Sequence, residues 1–61
     1  MTLYREGTLL KDCLGDLWMI TGLGKQSFGL DRYVIVRLRD GFMMKPVYRM
    51  VHRQYDLVSE T

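Results

Sequence analysis

The stretch that decides the fold is "RYVIVRLRDGFMMKPVYRM", Arg32 to Met50. Tyr33-Val34-Ile35-Val36 is the clearest strand in the chain, four β-favouring residues in a row. Asp40-Gly41 behind it offers the positive φ angles of a two-residue type I′ turn, and the chain returns as "FMMKPVYRMVHRQY". A half-buried hairpin has one apolar and one polar face, yet apolar residues stand on both faces here. With Asp40 and Gly41 as the turn, Leu38 is expected opposite Met43, Val36 opposite Lys45, Val34 opposite Val47 and Tyr33 opposite Tyr48.

That pairing sorts the side chains. One face collects Val34, Val36, Leu38, Met43 and Val47 with Lys45, and reads as the core. The other collects Tyr33, Ile35, Arg37, Arg39, Phe42, Met44, Pro46 and Tyr48, without Asp, Glu, Ser or Thr. Tyr, Phe, Met and Arg are enriched at protein interfaces because large bodies bury well while Arg and Tyr keep a polar end. The expected protein-interaction residues are therefore Tyr33, Arg37, Arg39, Phe42, Met44 and Tyr48. Two other readings stay open: a curled hairpin buries parts of both faces, and arginine stems merely cover apolar surface.

Outward from the hairpin, "TLLKDC" and "LWMITGL" flank a turn at Leu14-Gly15-Asp16 and read as a first hairpin. Trp18 is expected to be the central packing residue, and Asp12 and Asp16 to make local backbone hydrogen bonds. "GKQSFGLD", Gly24 to Asp31, reads as a loop, with Phe28 folding back to cap a small core. Pro46 cannot donate to a sheet ladder, so it marks an edge or a bulge that splits the return strand. A helix over "KPVYRMVHRQYDLV" is the second reading of that segment, because Pro is tolerated in a first turn and Val47, Met50, Val51 and Leu57 keep some helical spacing. "YDLVSE" reads as a last short strand.

The whole chain, residues 1–61, is one small domain, near the lower size limit for folding without staples. At 48% hydrophobic and 26% charged residues it has the composition of a folded chain. Four or five short strands fit a small closed or half-closed barrel better than an open sheet, since closure protects edges. "GTLLKDCLGDLWMITGLG", then "YVIVRLRDG", then "YDLV" resembles the run of an SH3-like small barrel, as in KOW-type and several phage or bacterial modules. The resemblance covers roughly Gly7 to Val58 and rests on strand order and glycine placement. It implies an all-β fold, a small SH3-like barrel of about five short antiparallel strands. The chain lacks the acidic loop and paired aromatics of a proline-peptide-binding SH3 domain.

Chemistry is sparse. Cys13 is the only cysteine and His52 the only histidine, so no soft ligand set for structural zinc exists within one chain. A Cys13/His52 nucleophile pair would need an orienting acid and an oxyanion site. "GLGKQSFG" lacks the residue order of a phosphate loop. The expectation is a non-enzymatic binding protein with no cofactor, metal or small-molecule substrate. A lone cysteine and no leader pattern point to the cytoplasm, and no stretch is long enough to span a bilayer.

Net charge is +2, unevenly spread: residues 1–30 hold three basic and three acidic side chains, residues 31–54 six and two. Arg32, Arg37, Arg39, Lys45, Arg49 and Arg53 with the nearby rings define a second expected partner, nucleic acid. A protein partner or a second copy of the chain ranks first, because the total charge is modest. Size and missing chemistry also suit a small phage or mobile-element accessory protein that inhibits or redirects a larger machine.

Overall fold

The structure, a computed structural model, describes residues 3–24 and 32–61. The loop expected at Gly24–Asp31, beyond Gly24 itself, and the capping role of Phe28 lie outside the described residues. Five strands, β1 (Leu9–Lys11), β2 (Leu17–Gly24), β3 (Arg32–Arg37), β4 (Met43–Met44) and β5 (Asp56–Ser59), and one helix, α1 (Tyr48–Gln54), follow each other along the chain. The strands form a single antiparallel sheet in the order β4-β3-β2-β1-β5. The all-β expectation therefore holds with five strands, but the sheet does not close into a barrel. β4 and β5 are its two edges.

The first hairpin is organised by Asp12. Its Oδ1 accepts the backbone N–H groups of Leu14 and Asp16, each at 2.9 Å, and Gly15 takes the positive φ of +88°. A short acceptor two and four residues upstream of the donors is what an Asx-type turn requires. Asp12 Oδ2 accepts the Trp18 indole N–H at 2.9 Å, so the same carboxylate ties the turn to the core.

The second hairpin departs from the expected two-residue turn. Arg37 and Phe42 close it, with the Arg37 N–H donating to the Phe42 carbonyl at 2.8 Å and the Gly41 N–H to the Arg37 carbonyl at 2.8 Å. Val36 then faces Met43 and Ile35 faces Met44. Only Gly41 has positive φ (+77°), whereas a type I′ turn demands it at Asp40 as well. Asp40 instead accepts the Phe42 N–H and both arms of Arg37, which stabilises a four-residue loop. The shift moves each facing partner by two residues, and because side chains alternate with period two the face assignments survive it.

Which face points inward is reversed. Leu10, Trp18, Ile20, Tyr33, Ile35 and Val51 form the core, with Tyr4, Tyr48 and Tyr55 packed against it. Tyr33 and Ile35, read as surface, are fully buried, and Pro46 is buried too. Leu38 and Met43, read as core, are about half exposed, and Val34 and Val36 are only partly covered. The β2–β3 register explains the reversal: Ile20 lies opposite Ile35, so the side of the sheet that buries Trp18 and Ile20 takes Ile35 with it, and Tyr33 two residues away. One Trp, one Tyr and four aliphatic chains bury more apolar area than a few valines.

The segment after β4 is helical, the second of the two sequence readings. The chain must travel from the β4 edge to the β5 edge, four inter-strand spacings or roughly 19 Å. A strand continuing along β3 would never arrive. Pro46 is compatible with the exit because it uses its carbonyl, which accepts the Tyr33 N–H at 3.0 Å, and needs no N–H. α1 lacks a side-chain N-cap and has no acidic residue in its first turn. A seven-residue helix is marginal by itself, so it is held by burying Val51 in the core. No helix among the described residues is long and apolar enough to cross a membrane.

Candidate functional site: the open end of the inner face

The inner face runs from core to surface along the β3–β4 hairpin. At its deep end lie Tyr33, Ile35 and Pro46; at its open end lie Arg37, Phe42 and Met44. Phe42 is 52% exposed and Met44 38%. The sequence expected one uniform docking face, and the structure divides it into a buried half and an accessible half.

At the open end the Arg37 guanidinium sits 5.1 Å from the centroid of Phe42 and 5.5 Å from that of Trp18, and the two rings meet edge to face at 6.4 Å. Asp40 grips the same guanidinium with two hydrogen bonds, Nε to Oδ1 at 2.9 Å and Nη2 to Oδ2 at 2.6 Å. The Arg37 hydrogen bonds hold the Asp40 carboxyl at about 2, with the Phe42 N–H adding to the effect, and Asp40 in turn raises Arg37. A planar fork against a carboxylate between two rings has little rotamer freedom left. The result is a rigid, partly exposed Arg/Phe/Trp cluster.

At the deep end the groups serve packing. The Tyr33 hydroxyl accepts the Tyr4 N–H at 2.9 Å and shares a 2.7 Å hydrogen bond with Nε2 of His52. Tyr4 stacks on His52 at 4.2 Å, and Tyr48 lies 4.3 Å from Tyr33. Burial pushes Tyr33 up and His52 down, both towards the uncharged form. Tyr33 is therefore not available to a partner, and Tyr48 is half-buried beside it.

The basic residues also separate into two groups. Arg37 is held by Asp40, and the exposed Arg39 reaches Asp16 at 3.4 Å. Arg32 donates to the Lys45 carbonyl at 2.8 Å. Lys45, Arg49 and Arg53 are exposed, and Arg49 and Arg53 share one side of α1 at a four-residue spacing.

Among the described residues no three His, Cys, Asp or Glu side chains gather to hold a metal. Exposed Cys13 lines an open hollow with Asp12, Leu14, Gln54 and Tyr55, whereas His52 is engaged by Tyr4 and Tyr33. What the sequence reading missed is the outer face, where Leu9, Met19, Val36 and Met43 line up across four strands. The signal lay in the β2 alternation: once Trp18 and Ile20 point inward, Leu17 and Met19 must point out. No protein-family model, no curated protein and no solved structure matches the chain.

Proposed function

We propose that this chain is a non-enzymatic, SH3-like binding module whose partner is another protein, engaged by the open end of the inner face. The observation that carries this reading is the Arg37–Asp40–Phe42–Trp18 cluster. Interfaces draw most of their affinity from a few aromatic and arginine side chains that are already rigid before binding. Arg37 and Phe42 have that chemistry and that fixation, and exposed Met44 and Arg39 flank them. The strand order β4-β3-β2-β1-β5, with a helical turn before the last strand, supports the SH3-like reading. The small size suits an accessory or inhibitor protein of the phage type that acts by occupying a surface on a larger machine.

The test is affinity capture with the wild-type chain and with Phe42→Ser plus Met44→Ser as baits. Both substituted residues are substantially exposed, so folding is expected to survive while capture of the partner is lost. Equal capture by both baits overturns the assignment to this end of the face.

Nucleic acid is the second reading, favoured by Lys45, Arg49 and Arg53, which are exposed and have no ion-pair partner among the described residues. It is weakened by Arg37 and Arg39, whose charges are already met by carboxylates. A nucleic-acid complex would lose affinity steeply with salt, by close to one unit of log–log slope for each phosphate contacted. Substituting Arg49 and Arg53 together would then flatten that slope, whereas Phe42→Ser would leave it unchanged.

A further inference from the structure

The residues before β1 run over the deep end of the inner face. Residues 3–7 belong to no strand, and Leu3, Arg5 and Glu6 are exposed. The Tyr4 N–H donates not to a strand backbone but to the Tyr33 hydroxyl at 2.9 Å, and the Tyr4 ring stacks on His52 at 4.2 Å with 21° between the planes. Behind it the chain joins the sheet at once: the Gly7 N–H donates to the Ile20 carbonyl at 2.7 Å, and Gly7 bends at a φ of +91° that favours glycine. Among the described residues, the hydrogen bond and ring contacts that tie residues 3–6 to the inner face are all made by Tyr4.

We propose that residues 3–6 form a releasable strap over the deep end of the inner face, and that protonation of His52 unfastens it while the sheet stays folded. Both ties of the strap meet at His52: Tyr4 lies on its ring, and Tyr33, which takes the Tyr4 N–H, is 2.7 Å from its Nε2. A neutral imidazole has one acceptor nitrogen and an imidazolium has none. Against an imidazolium the Tyr33 hydroxyl would meet two donors, the Tyr4 N–H and Nε2–H, and its own proton would lose the ring as acceptor. Tyr33 is fully buried, so solvent does not replace that partner while the strap is closed. The groups facing His52 are uncharged rings: Tyr4 from the N-terminal segment, Tyr33 from β3, and Tyr48 four residues before it on α1. Arg49 and Arg53 are its charged neighbours along α1, and no carboxylate among the described residues acts on it. Burial first, and the amino-terminal ammonium second, push its pKa below the ordinary value.

The fastened state takes up the proton less readily than the released one, so the strap is fully held above about 6.5 and loosens as pH falls below it. Each unit by which fastening lowers the His52 pKa multiplies the released fraction about tenfold at low pH. Local opening spares the core, because Leu10, Trp18, Ile20, Ile35 and Val51 take no part in the fastening. Release uncovers the hydroxyl end of Tyr33, on the same face as Phe42 and Met44. On the docking reading proposed above, it lengthens that surface from the open end toward the deep end; the strap itself does not depend on that reading.

Amide hydrogen exchange of the full chain, followed by NMR between pH 7.5 and pH 5 with the His52 ring resonances as the record of its protonation, tests the proposal without a partner. The protection factor of the Tyr4 amide is expected to fall several-fold as His52 titrates. The Ile20 and Tyr33 amides, which donate to the Thr8 and Pro46 carbonyls, should keep theirs. Tyr4→Ala should bring the His52 pKa up toward its ordinary value with Ile20 and Tyr33 still protected. His52→Gln, which does not titrate in this range, should leave the Tyr4 amide independent of pH. Unchanged protection at Tyr4 while His52 titrates overturns the proposal, as does a gain, which would mean that the Tyr4 ring face holds the imidazolium by cation–π attraction. Simultaneous loss of protection at Ile20 and Tyr33 would mean global unfolding and overturns it too, and so does a His52 pKa that Tyr4→Ala leaves in place. None of these readouts involves Phe42 or Met44, so a failed docking assignment leaves them standing.

Discussion

The two faces of the β3 strand are built from equally apolar residues, Tyr33 and Ile35 on one side and Val34 and Val36 on the other, yet the first pair is fully buried and the second only partly covered. Hydrophobicity along β3 does not distinguish them. The difference comes from the neighbours: β2 contributes Trp18 and Ile20 to one side, and α1 adds Val51 to that same side. A strand's inward face is a property of the sheet and its cover, not of the strand alone.

The largest expected effects come from breaking the inner face. Trp18→Ala should cost about 3–5 kcal/mol and Ile35→Ala about 2–5 kcal/mol, enough to unfold a small domain in thermal or urea melts. Val36→Ala, one residue away on the outer face, should cost under about 1 kcal/mol in monomer stability. Similar losses for Ile35→Ala and Val36→Ala would mean that the two faces are equally covered.

Tyr33→Phe sharpens the comparison inside the buried half. It keeps the ring and removes the hydroxyl that joins Tyr4 N to His52 Nε2, so a loss of about 1–2 kcal/mol in urea denaturation is expected. Thr8→Val should act in the opposite direction. Thr8 is fully buried and its hydroxyl has no hydrogen-bond partner among the described residues, so a methyl in its place should raise stability by up to about 1 kcal/mol.

The smallest effects are read by pH. Burial lowers the His52 pKa, so the unfolded chain binds a proton more readily than the folded one, and stability should decline as pH falls below about 6.5. His52→Gln should remove that window. Asp40, at about 2 in the fold, contributes stability that is present above about 4 and is lost as pH falls toward 2. Asp40→Asn should shrink this second window, leaving the part that Asp12 contributes through its hydrogen bond from Trp18, without touching the first. Thermal midpoints collected between pH 8 and pH 2 separate the two, one from the deep end of the inner face and one from its open end.

Much of this was legible from residue types. The first hairpin followed from Gly15 and from strand-favouring residues on both sides of it, and Asp12 acts on the local backbone as its short acceptor side chain dictates. Trp18 sits at the centre of the core, as its size requires in so short a chain. Within the paired strands, the separation of Val34, Val36 and Met43 from Tyr33, Ile35 and Met44 was also legible, because a two-residue change of register preserves the alternation, whereas Leu38 and Arg39 fall in the loop and Tyr48 in α1. The orientation of those sets was not legible. Neither was the split of the candidate site: Tyr33 and Tyr48 carry the same interface-type chemistry as Phe42, but Tyr48 of α1 packs on Tyr33, with Tyr4 and His52 beside it, and Phe42 is left open.

The sequence by itself determined the strand-forming runs, the turns that glycine and aspartate allow, and the absence of a stretch able to span a bilayer. These depend on backbone preferences and on chemistry carried by each residue or its nearest neighbours. The tertiary structure alone decided that residues 48–54 form a helix rather than the rest of a strand, since the chain must cross from one sheet edge to the other. It also decided which face is core. That choice depends on the register between β2 and β3, where Ile20 meets Ile35, and a register is a relation between distant segments that no single run of residues contains.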